Sequence, residues 1–282
     1  MVWLAGLVVA ALATVLSGTL TSVLGHLFDS RAVEDRLAGG DDIAVTVAVV
    51  HDDSNFTTAL VGRYDIPPDD PSRTDLTAGE AAQLADRLTA SGGYAVPYLR
   101  LRILLEGRRS QQIQVTDLAI IGLRSGPAPR GTLVHIPPQG GGAITQLAYD
   151  LSDPLPVAQA VGEDGPTGHP YFVGNGISLA DREQAPLTAQ LIAKPGASEE
   201  FRLQLRYTLG GRAKTRSIDD HGRPFRVAAL NCSRAPDGST VLSYDSAYLM
   251  TGSDTGAYIL ATADDPQYIP WGTDPTDPQY CR

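Results

Sequence analysis

Lysine is almost missing from this 282-residue chain, where Lys194 and Lys214 stand against twenty arginines. With Ala, Gly and Pro abundant, the skew looks like a translated GC-rich bacterial genome, a compositional inference that excludes no chemistry. Cysteine is scarce too. Cys232 and Cys281 are too few for a disulfide framework or a zinc cluster, and leave room for one disulfide in an oxidising compartment. Positive charge is in deficit overall, with a formal net charge of −10. A protein that neutralises phosphates is basic, so nucleic acid is excluded as a partner.

Motifs for chemistry are also lacking. No G-x-S-x-G occurs, and Gly140-Gly141-Gly142 has neither the lysine of a P-loop nor the spacing of a dinucleotide turn. Only His51-Asp52-Asp53 and Asp219-Asp220-His221 place a histidine beside carboxylates. Neighbouring residues on a strand point to opposite faces, so such triplets end strands as polar turns more readily than they chelate. No catalytic residue, cofactor or metal site is expected.

The longest gap in charge is the most informative. Residues Val2 to Phe28 contain no Asp, Glu, Lys or Arg, and about 20 apolar helical residues suffice to cross a bilayer core. The stretch is predicted to be a single transmembrane anchor over residues 1–28, with the lipid bilayer as its partner. A cleaved secretory signal is the rival reading, and only Ala11-Leu12-Ala13 resembles a cleavage site. Ala10, Thr14, Gly18 and Ser22 recur every fourth residue, a ridge of small side chains through which two helices can associate as a homodimer. Arg31 and Arg36, diluted by Asp29, Glu34 and Asp35, leave the orientation weakly marked. The position of an uncleaved export signal favours a domain outside the cytoplasm.

Beyond the anchor the chain reads as mainly β, a β-sandwich-like domain or pair of domains with one short covering helix. Residues 29–42 form a juxtamembrane linker. Ile43 to Val50 alternates as a strand, and HDDSNFTT after it reads as a turn-rich segment. Asp65 to Asp75, rich in Pro and Asp, is expected to hold no regular structure. Thr77 and Glu80 form a capping box before a helix over 78–90, with Ala81, Leu84, Ala85 and Leu88 on one face and Gly92-Gly93 behind it, which should cover an edge or end of a sheet. YLRLRILLEG (98–107) and IQVTDLAIIGL (113–123) should be the centre of the first sheet. FRLQLRYTL and KTRSID around Gly210-Gly211 read as a hairpin. EDGPTGHP within Ala160 to Asn175 reads as a loop, which divides residues 43–160 from 175–263 as two halves of one sandwich or as two domains. Residues 264–282 form a Pro/Asp-rich tail.

At EGRRSQQIQVTDLAIIGL and at FRLQLRYTLGGRAKTRSIDDHGRPFRV the chain resembles uncharacterised actinomycete single-pass membrane proteins with an N-terminal helix and an extracytoplasmic β-rich domain. The resemblance implies that architecture at the cell envelope and brings no catalytic residues with it.

Two sets of residues remain as candidates. Arg100 and Arg102 share a strand face, as do Arg202, Gln204 and Arg206, and paired they would offer a basic face to an acidic envelope protein or anionic polymer. The leading expectation is a membrane-anchored extracytoplasmic interaction module. The alternatives are an envelope hydrolase using carboxylates such as Glu106, Asp117 and Asp219, and a small-ligand sensor with an apolar pocket between sheets. Paired cysteines would pin the tail near Asn231, and an intermolecular bridge through Cys281 is the other option.

Overall fold

The computed structural model describes residues 40–50, 56–136, 146–162, 165–234, 236, 238, 240–253 and 256–262. In chain order the strands are β1 (Ile43–Val49), β2 (Phe56–Leu60), β3 (Tyr94–Ala95), β4 (Tyr98–Gly107), β5 (Ile113–Pro127) and β6 (Thr132–Ile136). They continue as β7 (Leu147–Asp150), β8 (Gln159–Gly162), β9 (Gly165–Pro170), β10 (Ile177–Leu179), β11 (Gln184–Ile192) and β12 (Ala197–Leu209). The last are β13 (Arg212–Ile218), β14 (Phe225–Ala228), β15 (Cys232–Arg234), β16 (Thr240–Leu242), β17 (Ser246–Gly252) and β18 (Tyr258–Ala261). Helices α1 (Pro71–Thr74) and α2 (Ala78–Ala90) lie between β2 and β3, and α3 (Tyr171–Gly174) comes after β9. The protein is mainly β.

Two sheets hold these strands. One runs β1-β4-β11-β7-β8-β9; the larger runs β10-β5-β12-β14-β3-β2-β6-β17-β18, with β13 also beside β12, and β15 and β16 pair separately. The six-stranded sheet packs on the β10-β5-β12-β14 part of the larger one, a sandwich in which period-2 alternation does the sorting. Leu99, Leu101, Ile103 and Leu105 of β4 face Leu203, Leu205 and Tyr207 of β12 within one core. Tyr149 is fully buried there, and its hydroxyl donates to the Leu118 carbonyl at 2.6 Å, tying β7 to the opposite sheet. At Gly210 and Gly211 φ is +56° and +72°, the conformation a tight hairpin turn demands, and β12 and β13 pair across it from Leu209 and Arg212.

The remainder of the large sheet is covered by α2. Its cap is Thr77, whose hydroxyl accepts from the Glu80 backbone N–H at 3.3 Å and also donates to the Glu80 carboxylate. Ala81, Leu84, Ala85 and Leu88 are buried against Phe56, Val134, Ile136, Tyr248 and Leu260. The helix therefore lies on a face built by β2, β6, β17 and β18, the strands that form one end of the larger sheet. The other face of the same strands closes over Ala59, Leu133 and Ala228 with Leu242 and Tyr244.

Several expectations are corrected. The stretches 98–107 and 113–127 are adjacent in sequence but lie in different sheets, since β4 pairs with β1 and β11 while β5 pairs with β12 and β10. The Pro/Asp stretch holds the helical turn α1, because Asp70 accepts from the Ser72 backbone N–H at 3.0 Å and Pro71 starts the turn. EDGPTGHP contains β9, paired with β8. Phe56 to Leu60 and Ser246 to Gly252 are strands. Strands from before and after residues 160–175 alternate in both sheets, with β11 beside β4 and β12 beside β5, so neither stretch closes a sheet by itself.

Among the described residues no helix is long and apolar enough to cross a membrane. The stretch expected to do so, residues 2–28, the ridge Ala10, Thr14, Gly18 and Ser22, and the tail 264–282 lie outside the described residues.

Candidate functional site

The most elaborate polar cluster sits where the chain joins the fold. Asp42, immediately before β1, takes Arg109 Nε at 2.7 Å, Lys214 Nζ at 2.6 Å and the Tyr207 hydroxyl at 2.9 Å. Arg216 reaches Asp41 at 2.7 Å and also donates to the Ile43 carbonyl, and Arg109 donates to the Gly40 carbonyl at 2.5 Å. Arg109 comes from the β4–β5 connection, the other partners from β12 and β13, so three distant segments converge on the residues just before β1. Burial pushes the Asp42 carboxyl up, but hydrogen bonds from Lys214, Arg109 and Tyr207 outweigh it and hold the group below the ordinary carboxylate range. Burial and the same bond raise the Tyr207 phenol to about 12. Arg109 and Asp42 are a nearly buried pair, with side chains 7% and 10% exposed. The cluster acts as a clamp, since removing one member leaves another charge buried and unpaired.

The candidate arginines are not brought together. Arg100 and Arg102 lie on the outward row of β4, and Arg202 and Arg206 on the outward row of β12, on opposite sides of the sandwich. Arg202 stands 3.5 Å from Asp219 and donates to the Gly222 carbonyl, while Arg206 stands 3.2 Å from Asp117 and 3.3 Å from the Gln204 amide. Arg100 lies over the Tyr98 ring at 4.9 Å. The β12 face is therefore charge-matched and not a basic surplus.

Glu106, Asp117 and Asp219 are equally dispersed. Glu106 pairs with Arg108 at 2.9 Å and accepts from Gln184, on the other sheet from Asp117. Asp219 also accepts from the Gly222 backbone N–H. Each carboxylate serves its own cation, an arrangement without the facing pair that acid–base hydrolysis needs. Among the described residues no group of three or more His, Cys, Asp or Glu could hold a metal.

A second cluster lies at the seam between the sandwich and the helix-covered part. Glu200 accepts from Arg124 at 2.7 Å, Arg226 at 3.0 Å and the Tyr94 hydroxyl at 3.2 Å. Burial pushes its carboxyl up, but these bonds together outweigh it and hold the group below the ordinary range. Beside it a cavity of about 30 Å³ is bordered by Thr58, Thr89, Asp220, Arg223 and Arg226. That is room for about two waters, far below the several hundred Å³ of a small-molecule site.

One residue next to this network went unnoticed in the sequence. Glu199 occupies the inward row of β12 that Phe201 and Leu203 continue, is fully buried, and has no hydrogen bond to either carboxylate oxygen among the described residues. Burial pushes its carboxyl up to about 7, against the opposing pull of the nearby positive charge of Lys194. Only the parity of β12 distinguishes Glu199 from its neighbour Glu200 on the outward row. His135 is bonded to the Thr57 hydroxyl at 2.8 Å, and burial lowers it to about 4. Cys232 carries a disulfide bond, and Cys281 lies outside the described residues. No protein-family model matches the chain, and no curated protein matches it.

Proposed function

We propose that this protein is a membrane-anchored, extracytoplasmic β-rich interaction module, held in the bilayer through residues 2–28 and meeting a protein or polymer of the cell envelope. The observation that carries this reading is the junction. A stretch of 27 uncharged residues precedes a β domain in which Asp41 and Asp42, just before β1, are clamped by Arg109, Lys214 and Arg216. A clamp at that point transmits the position of a tether to the whole domain. The dispersal of Glu106, Asp117 and Asp219 gives the hydrolase reading no support, and the seam cavity among the described residues, with room for about two waters, is too small for a sensed ligand.

Fractionation tests the anchor. Full-length protein is expected to pellet with membranes and to stay there through alkaline carbonate extraction. Recovery in the soluble fraction with Met1 still present contradicts it.

A further inference from the structure

Edge strands invite association, and folded proteins blunt them with charge, proline or shortness. Most edges here are blunted. β9, GPTGHP, carries two prolines, β10 is three residues long, β13 presents Arg212, Lys214 and Arg216, and β18 has four residues. β1 is different. It closes one side of the six-stranded sheet, and among the described residues it pairs only with β4. Its seven residues, IAVTVAV, include no charge, no proline and no glycine, and its register with β4 runs without a bulge.

The backbone of β1 is set up for a second partner. The Arg108 N–H donates to the Asp42 carbonyl and the Val50 N–H to the Arg100 carbonyl, both at 2.9 Å. In an antiparallel ladder the bonded residues alternate, so residues 44, 46 and 48 bond to β4. Val45, Val47 and Val49 then direct their N–H and C=O groups to the open side. Their side chains are only partly buried although they pack on the sandwich core.

We infer that β1 pairs with β1 of a second copy of this chain, antiparallel and centred on Thr46, joining two six-stranded sheets into one. The sequence of the strand names this occupant. IAVTVAV reads almost identically in both directions about Thr46, so a two-fold axis there sets Val45 against Val47, Ala44 against Ala48 and Ile43 against Val49. A self-complementary patch is what a two-fold interface requires. The parity agrees independently. Centring on Thr46 pairs odd residues with odd residues, which are the ones whose backbone groups face outward, and Thr46 meets itself as the closer, non-bonded pair. The outer face of the joint carries only Ala44, Thr46 and Ala48, with no charge to repel its own copy.

This inference does not depend on the anchor, and it differs from helix association in the membrane. The test uses the full chain in reducing detergent solution, with the mass of the protein component read by light scattering. The unaltered chain is expected at twice 29.8 kDa. Thr46→Lys, which sets like charges against each other at the axis from an exposed position, is expected at the single-chain mass with an unchanged far-UV circular dichroism spectrum. Under mild oxidation Thr46→Cys should give a reducible dimer beyond that of the unaltered chain, because its two copies face each other at a separation a disulfide spans. Ala48→Cys, which faces position 44, should not. A single-chain mass for the unaltered protein overturns the inference, including the case in which another segment or another protein's strand covers β1. A Thr46→Lys dimer, or equal cross-linking at positions 46 and 48, places the contact elsewhere and overturns it too.

Discussion

The sandwich and the helix-covered region share one sheet but are built by different rules. In the sandwich the strands are long, with β4 of 10 residues, β5 of 15 and β12 of 13. One face of each meets the core and the other meets water. In the helix-covered region β2 and β6 have five residues each and β18 four, and they are largely buried on both faces, because α2 covers one side and the cluster around Leu133 the other. The two regions join through β3, a strand of two residues. A sandwich of half-wet strands advertises itself by alternation, whereas strands buried on both faces lose that signal.

The largest loss of stability is expected from the sandwich core. Phe201 is 1% exposed and its ring lies 5.8 Å from that of Phe225. Phe201→Ala is expected to cost about 3–5 kcal/mol through lost burial and an unfilled cavity, measured as a lower urea midpoint with unchanged slope. Hydrogen exchange should rise throughout both sheets, since β12 belongs to the shared sheet. An effect confined to the sandwich would separate the two regions into independent folding units.

The clamp at the start of β1 comes next. Asp42→Ala leaves Arg109 buried without its carboxylate and is expected to cost about 3 kcal/mol near neutral pH. The Asp42 carboxyl is depressed in the folded state, so its contribution is present above the ordinary carboxylate pKa and is lost as pH falls through the lower folded value. The difference between Asp42→Ala and the unaltered chain should therefore shrink in acid, which a urea titration at several pH values checks.

Glu199 carries the opposite sign. Its folded pKa of about 7 lies above the 4.5 of a free carboxyl, so the folded state binds the proton more tightly and stability declines as pH rises from about 4.5 to 7. Glu199→Gln is expected to stabilise the protein by about 3 kcal/mol above pH 8 and to change little near pH 4. A melting-temperature series across that range reads the crossover. A variant equally stable with the parent at pH 8 would mean that Glu199 is satisfied in solution.

The smallest effect sharpens the contrast from the other side. Thr77→Ala removes the cap of α2 and is expected to cost about 1 kcal/mol. Exchange should increase in 78–90 and in β17 and β18 more than in β4 or β12, as native-state hydrogen exchange can resolve.

These differences explain what could be read in the sequence. Alternation located β1, β4, β12 and β13, and the capping box located α2 with its buried face. Alternation says nothing about which strands are neighbours, so β4 and β5 are both expected at the centre of one sheet although their connection crosses between sheets. β2 and β17 escaped because FTTAL and SAYLMTG have no period of two once both faces are covered. The clamp was invisible for another reason: Asp42 and Lys214 are 172 residues apart, and only the fold makes them neighbours. In the same way the apolar pattern of β1 was plain, while the absence of a second partner beside it is a property of sheet order.

We propose that the domain stands outside the cytoplasm on a retained N-terminal anchor. A pair of topology reporters fused after Arg282 of the full chain tests it most directly. An exported phosphatase is expected to be active there, and a fluorescent protein that folds only in the cytoplasm is expected to stay dark. A bright fluorescent fusion with an inactive phosphatase would contradict it.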